Sequence, residues 1–243
     1  MNVHYVIGCG GIGCWLVPLL KKMLDKTAVI SVMDGDKIEQ RNFDRQFHSM
    51  ENLGWNKAEA LFYQYGLNHF YPRYLSRYSR PPLRIVDWVW CCVDNHPARL
   101  ECLEWIDENA SHGIFGGNEY ESSQSFIYFS NWKDTDLDPR KRYPEILTDK
   151  RGNPDRPNCQ GEAQIADPQL AVYNYLAAGG MMHLYCFWLH YSHLVSRELW
   201  AIQHEMALGR FQTFNAVSLN RSNEPIHIVP LSGEQVQDSE DAI

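Results

Sequence analysis

The glycine cluster Gly8-Cys9-Gly10-Gly11-Ile12-Gly13 constrains this chain's fold more than any other stretch. It joins a β-prone run, Val3-His4-Tyr5-Val6-Ile7, to residues 12–24, where apolar side chains recur at helical spacing. A strand that turns through glycines into a helix leaves the first helical amides unpaired and aims them at one spot, where they can hold phosphate. The pattern G-x-G-x-x-G in that setting reads as a nucleotide-binding turn. Pro18 falls inside the helical pattern, removes one backbone donor and is expected to kink the helix.

Further βαβ units succeed it. Residues 28–33 read as a second strand that delivers Asp34 to its end, and 57–68 as a helix. Residues 85–93 are almost continuously apolar and β-prone, the pattern of a strand buried on both faces, and end at Asp94-Asn95. Then come a helix over 97–109, short strands over 113–117 and 125–129, and a polar, proline-bearing crossover loop over 130–164. A long apolar helix over 169–194, a shorter one to 208, and a hairpin of 212–219 with 225–229 complete the pattern. The expected fold is α/β: a doubly wound, Rossmann-like sheet with a long crossover loop and a C-terminal helix plus β-hairpin. Residues 1–230 form a single domain, and 231–243 an acidic tail expected to be disordered.

Composition narrows the function classes. With 22 Lys+Arg against 30 Asp+Glu and a net charge of -8, the chain lacks the basic excess of a protein that tracks phosphate backbones, so no nucleic-acid partner is expected. No apolar run approaches the roughly 18 residues that span a bilayer, and the chain opens on a strand rather than a charged signal-peptide head, so no membrane partner is expected. Seven cysteines, Cys9, Cys14, Cys91, Cys92, Cys102, Cys159 and Cys186, include no Cys-x-x-Cys pair. That excludes a disulfide framework and a four-cysteine zinc site, and suits a reducing, cytoplasmic setting.

Asp34, at the end of the second strand, is placed to bind ribose hydroxyls, and a nicotinamide-dependent oxidoreductase would fit this much. A dinucleotide fold does not account for the residues downstream. Asp34-Gly35-Asp36 leads into Asn42-Phe43-Asp44-Arg45-Gln46, then Asn56-Lys57-Ala58, then Cys92-Val93-Asp94-Asn95. This ordered set, a glycine loop, D-x-D, N-x-x-R-Q, a lysine opening a helix and an aspartate after a buried strand, resembles the adenylation domain shared by ThiF, MoeB and the ubiquitin-activating enzymes. The spacing toward the C-terminus most resembles compact bacterial ThiF-like proteins of the PRTRC type.

That resemblance implies ATP-dependent adenylation of the C-terminal carboxylate of a ubiquitin-like or sulfur-carrier protein. By it, Gly8, Gly10, Gly11, Gly13, Asp34, Asp36 and Gln46 bind the nucleotide, with Asp34 on the ribose. Asn42, Arg45 and Lys57 surround the triphosphate, and Asp94 holds magnesium near the α-phosphate. Adenylation sets a carboxylate against a polyanion, so cations must offset the charge that builds on the α-phosphate and on departing pyrophosphate. The resemblance further implies a homodimer and a downstream conjugating enzyme as a further partner. Cys159, in Pro157-Asn158-Cys159-Gln160-Gly161, stands where compact relatives carry a thioester cysteine, and could take the acyl group from the adenylate.

Three departures from the family pattern stand out. The chain begins at its first strand, without the helical extension that sends an arginine into a neighbouring subunit's site. It lacks the paired Cys-x-x-Cys motifs, so zinc is not expected, and it leaves no room for a separate cysteine or ubiquitin-fold domain. Two other readings stay open, an NAD(P)-dependent oxidoreductase and a non-catalytic nucleotide-binding subunit that needs a partner chain. On the long helix, His183, Cys186, His190 and His193 share a stripe too long for one ion to collect, so a packing or dimer stripe is expected there.

Overall fold

A computed structural model describes residues 2–84, 87–118, 122–150, 170–191, 199–205 and 210–215. Strand β1 (Val3–Ile7) runs through the glycine cluster into α1 (Gly13–Met23), and β2 (Val29–Met33) comes next. Helix α2 (Lys57–Tyr65) opens on the Asn56 side chain, whose oxygen accepts from the Ala58 and Glu59 amides. It closes on Gly66, whose φ of 57° is the left-handed turn that ends helices. Then come β3 (His69–Tyr71), β4 (Trp88–Cys91), α3 (His96–Glu108), β5 (His112–Asn118) and β6 (Ser122–Phe129). Short helices α4 (Pro139–Arg142) and α5 (Glu145–Thr148) precede the long α6 (Ala171–Tyr191), and β7 (Leu199–Glu205) and β8 (Arg210–Asn215) complete the described chain.

The eight strands form one sheet in the order β3-β2-β1-β4-β5-β6-β7-β8. The first five are parallel and the last three antiparallel. All four residues of β4 are buried, as its unbroken apolar run requires of a central strand. Helices α1 and α6 cover one face: a Cβ on Gly116 would lie 2.6 Å from Met181 Sδ and 3.4 Å from Ile12. Helix α3 covers the other, where a Cβ on Gly113 would lie 2.4 Å from Ile106. The strand order reverses between β1 and β4, and the crevice above their C-terminal ends is where such sheets bind ligands.

The doubly wound architecture is as expected, and several elements differ. Residues 69–71, to which no element is assigned from the sequence, add an edge strand to β2. The expected helix ending at 208 is instead β7, because pairing with β6 outweighs the local preference of Leu-Trp-Ala-Ile-Gln-His-Glu. Strands β7 and β8 pair as a hairpin, and the first strand of the expected hairpin, 212–219, overlaps β8. Residues 225–229, the tail over 231–243 and Cys159 lie outside the described residues.

The crossover stretch 130–164 is not all loop. Its described part holds a 3₁₀ turn (Ser130–Trp132), α4 and α5, with Trp132 and Ile146 buried. Two isolated apolar anchors give no readable periodicity; a polar cluster does the fastening. Arg140 donates to Asp107 (2.8 Å), Asp138 (2.9 Å) and the Tyr128 hydroxyl (2.7 Å), and that hydroxyl donates to Asp107 (2.6 Å). On α6 the Trp188 ring packs 4.8 Å from that of Trp88. His183 and His190 are exposed, however, so they form no core stripe.

Removing Arg140 leaves Asp107 and Asp138 nearly buried without their main cation, a change that typically costs about 3 kcal/mol. Arg140→Ala is expected to lower the urea midpoint accordingly, and Asp107→Asn with Arg140→Met to recover part of the loss; an unchanged midpoint in Arg140→Ala would count against the clamp.

Candidate functional site

The glycine loop takes its shape from close backbone approach. Gly8 has φ 91°, and a Cβ there would meet the Cys92 carbonyl at 2.9 Å; a Cβ on Gly13 would lie 1.9 Å from the Gly8 oxygen. The Gly8 amide donates to Met33 (2.9 Å), and the Cys14 amide to the Gly10 carbonyl (3.1 Å), which starts α1. Among the described residues, no backbone carbonyl accepts from the amides of Gly10, Gly11, Ile12 or Gly13. These are the unspent donors of a helix N-terminus. The bare side of Gly10 faces Gln46 Nε2 and Lys57 Nζ, 3.6 and 4.0 Å from where its Cβ would stand.

Cys9 anchors the loop from both sides. Its amide donates to Asp34 Oδ2 (2.6 Å), and its carbonyl takes a hydrogen bond from His48 Nε2 (2.9 Å). A carbonyl only accepts, so the His48 proton sits on Nε2, and its buried Nδ1 has no partner. Burial lowers the His48 pKa to about 4 and keeps the ring neutral. Asp34 Oδ1 accepts from the Asp36 amide (2.8 Å). Burial pushes the Asp34 pKa up to about 6 against the pull of Lys57.

Lys57 is buried at the start of α2, with Nζ 3.0 Å from Asp36 Oδ2. Burial draws its pKa down, yet the carboxylates of Asp34, Asp36 and Asp94 more than compensate and hold it above the usual lysine value. The Tyr74 hydroxyl also donates to Asp36. Asn56 Nδ2 reaches the carbonyls of Asp34 (2.8 Å) and Asp36 (3.0 Å), so one asparagine caps α2 and ties the D-x-D turn to it.

Asn42 is buried, and its Oδ1 accepts from the Glu39 amide (2.9 Å), so this part of the side chain shapes its own 3₁₀ turn (Gln40–Asn42). The turn presents Arg45, half-buried, and Gln46, buried with Oε1 unpartnered. Asp94, after β4, is exposed, and Asn95 beside it caps α3 by accepting from the Ala98 amide (2.9 Å). The structure thus brings Gly10, Gln46, Lys57, Asp34, Asp36 and Asp94 to one crevice. The reading that puts Asp34 on ribose meets a competing use, since both of its oxygens already take backbone amides.

Sequence reasoning passed over His48, Tyr74 and Asn174. His48 carries no local signal. Asn174 does: it is a lone polar residue in Val172-Tyr173-Asn174-Tyr175-Leu176, it is wholly buried, and its Nδ2 donates to the Arg45 carbonyl (3.1 Å).

A nucleotide triphosphate suits this crevice, which offers open amides, a lysine and a glutamine amide. Magnesium bound to phosphates keeps several waters and needs one or two carboxylates, which Asp94 can provide. Among the described residues no group of three His, Cys, Asp or Glu side chains could hold a metal by itself. No described helix is long and apolar enough to cross a membrane.

The fold is that of PaaA and MccB. The crystal structure of PaaA matches with a TM-score of 0.62 and 16% identity over 88% of this chain and 73% of that one. Escherichia coli MccB with ATP matches with a TM-score of 0.61 and 17% identity. The microcin biosynthetic enzyme MccB in complex with N-formylated MccA gives 0.58 and 18%. The chain covers 64% of the length of MccB. No protein-family model matches it, and no curated protein does.

The anchors of Cys9 titrate in opposite senses. The raised Asp34 pKa contributes stability that is full below the unfolded value of 3.8 and is lost as pH rises through about 6. The lowered His48 pKa contributes stability that is full above the unfolded value of 6.5 and is lost as pH falls through about 4. From pH 4 to 6, Asp34→Asn is therefore expected to make the urea midpoint rise more steeply than in the parent, and His48→Gln to make it rise less or fall. Parallel profiles for all three proteins would refute these assignments.

Proposed function

We propose that this protein uses ATP to adenylate a carboxylate at the end of a peptide or small carrier protein, with a ubiquitin-like or sulfur-carrier protein as the substrate class. The observation that carries the reading is the set of open amides from Gly10 to Gly13, faced by Gln46 and Lys57 and bordered by the exposed carboxylate of Asp94. The N-x-x-R-Q and D-x-D motifs around that loop support it, as does a fold shared with MccB, which has been solved with ATP and with N-formylated MccA.

In this reading the amides of 10–13 and Lys57 hold the phosphates, while the Arg45 guanidinium faces the charge that develops on them. Asp36, less buried than Asp34, meets the ribose, and Asp34 braces the loop. A substrate carboxylate oxygen bonds to the α-phosphorus as the bond from that phosphorus to the bridging oxygen breaks, and pyrophosphate leaves with the electron pair. Magnesium, held by Asp94, would offset charge on the phosphate oxygens. An oxidoreductase would have no use for Arg45, Lys57 and Asp94 together.

Pyrophosphate exchange into ATP, dependent on the cognate carboxylate protein, is the test. Arg45→Ala and Asp94→Ala should each lower exchange by about 100-fold or more. Full exchange in both variants would sink the assignment, and ATP binding without exchange would make the protein a nucleotide-binding subunit.

We further propose that Cys159 accepts the acyl group from the adenylate, its thiolate displacing AMP to form a thioester. Mass spectrometry of the reaction should then show a thiol-sensitive adduct that disappears in Cys159→Ala while exchange survives. Exchange with no such adduct would end the reaction at the adenylate.

A further inference from the structure

Asn174 sits near the start of α6, fully buried, and reaches two parts of the site at once. Its Nδ2 donates to the Arg45 carbonyl (3.1 Å), which fixes the orientation of the amide, since that carbonyl can only accept. Its Oδ1 is left against Gly11, 2.5 Å from where a Cβ would stand, and has no hydrogen-bond partner. An acceptor oxygen repels phosphate, so Asn174 is no ligand of the triphosphate. A buried amide kept at the cost of an unpaired acceptor, and closely fitted to a glycine, holds two segments in register.

We infer that Asn174 is a positioning residue, fixing the glycine loop relative to the Arg45 segment so that the loop amides and the arginine meet the same phosphates. Gly11 is then bare because Asn174 fills the space its side chain would take. The inference rests on the adenylation reading only for the identity of the nucleotide.

ATP binding by calorimetry, together with exchange kinetics, tests it on the full chain. Asn174→Leu keeps the volume and removes the bond to Arg45. It is expected to weaken ATP binding about tenfold and raise KM for ATP by a like factor, while KM for the carboxylate substrate stays unchanged; a general loss of packing would move both. Gly11→Ala should push Asn174 aside and weaken ATP binding similarly, and Asn174→Ser in the Gly11→Ala background should restore part of the affinity by making room. If Asn174→Leu fails to fold, this second pair decides. Unchanged ATP affinity in a folded Asn174→Leu, or no recovery in the double variant, overturns the inference. A parent protein that binds no ATP would instead defeat the functional reading itself.

Discussion

The site depends on a backbone loop that is fixed from outside and so need not spend its own donors. Cys9 is the fulcrum: Asp34 takes its amide and His48 gives to its carbonyl, so the next four amides stay open without the loop collapsing onto itself. Glycines at 8 and 13 let two backbone segments approach where a methyl group would collide. The imidazole is neutral, and the ammonium of Lys57 beside the loop is held charged by Asp34, Asp36 and Asp94.

Lys57 shows how the site is kept ready. A buried ammonium is costly alone, and Asp36 stabilises it at hydrogen-bond distance while Asp34 and Asp94 contribute at longer range. Incoming phosphates would compete for the same ammonium, so the aspartates hold it charged without making it unreachable. The Tyr74 hydroxyl on Asp36 places a group of the same kind as a sugar hydroxyl on that carboxylate.

Much of this could be read from the sequence, because a few residues carry backbone requirements. The glycine cluster, the aspartates after strands and the apolar run of β4 marked the central parallel strands β1, β2 and β4 and the crevice above them. The edge strand β3 and the hairpin strand β7 could not be read that way, since they depend on pairing with neighbours rather than on their own pattern. The stretch after β6 was legible only as polar; its helices are held by Arg140, Asp107 and Tyr128, which lie far apart along the chain. Within the site, His48 and Asn174 act on backbone groups, and such roles leave no spacing rule behind. Asn174 alone showed a sign, a polar residue amid apolar ones.

Helix α3 begins just after Asp94 and is gripped over its C-terminal half by two guanidinium groups from different parts of the chain. Arg80 engages Glu101, Glu104 and Glu108, and Arg140 engages Asp107. A helix held at several turns cannot roll about its axis without straining both grips. Its N-terminal end then behaves as the tip of a braced lever, and Asp94 inherits that steadiness although its own side chain is exposed. Mechanical precision at the solvent boundary is thus supplied from the far end of the helix.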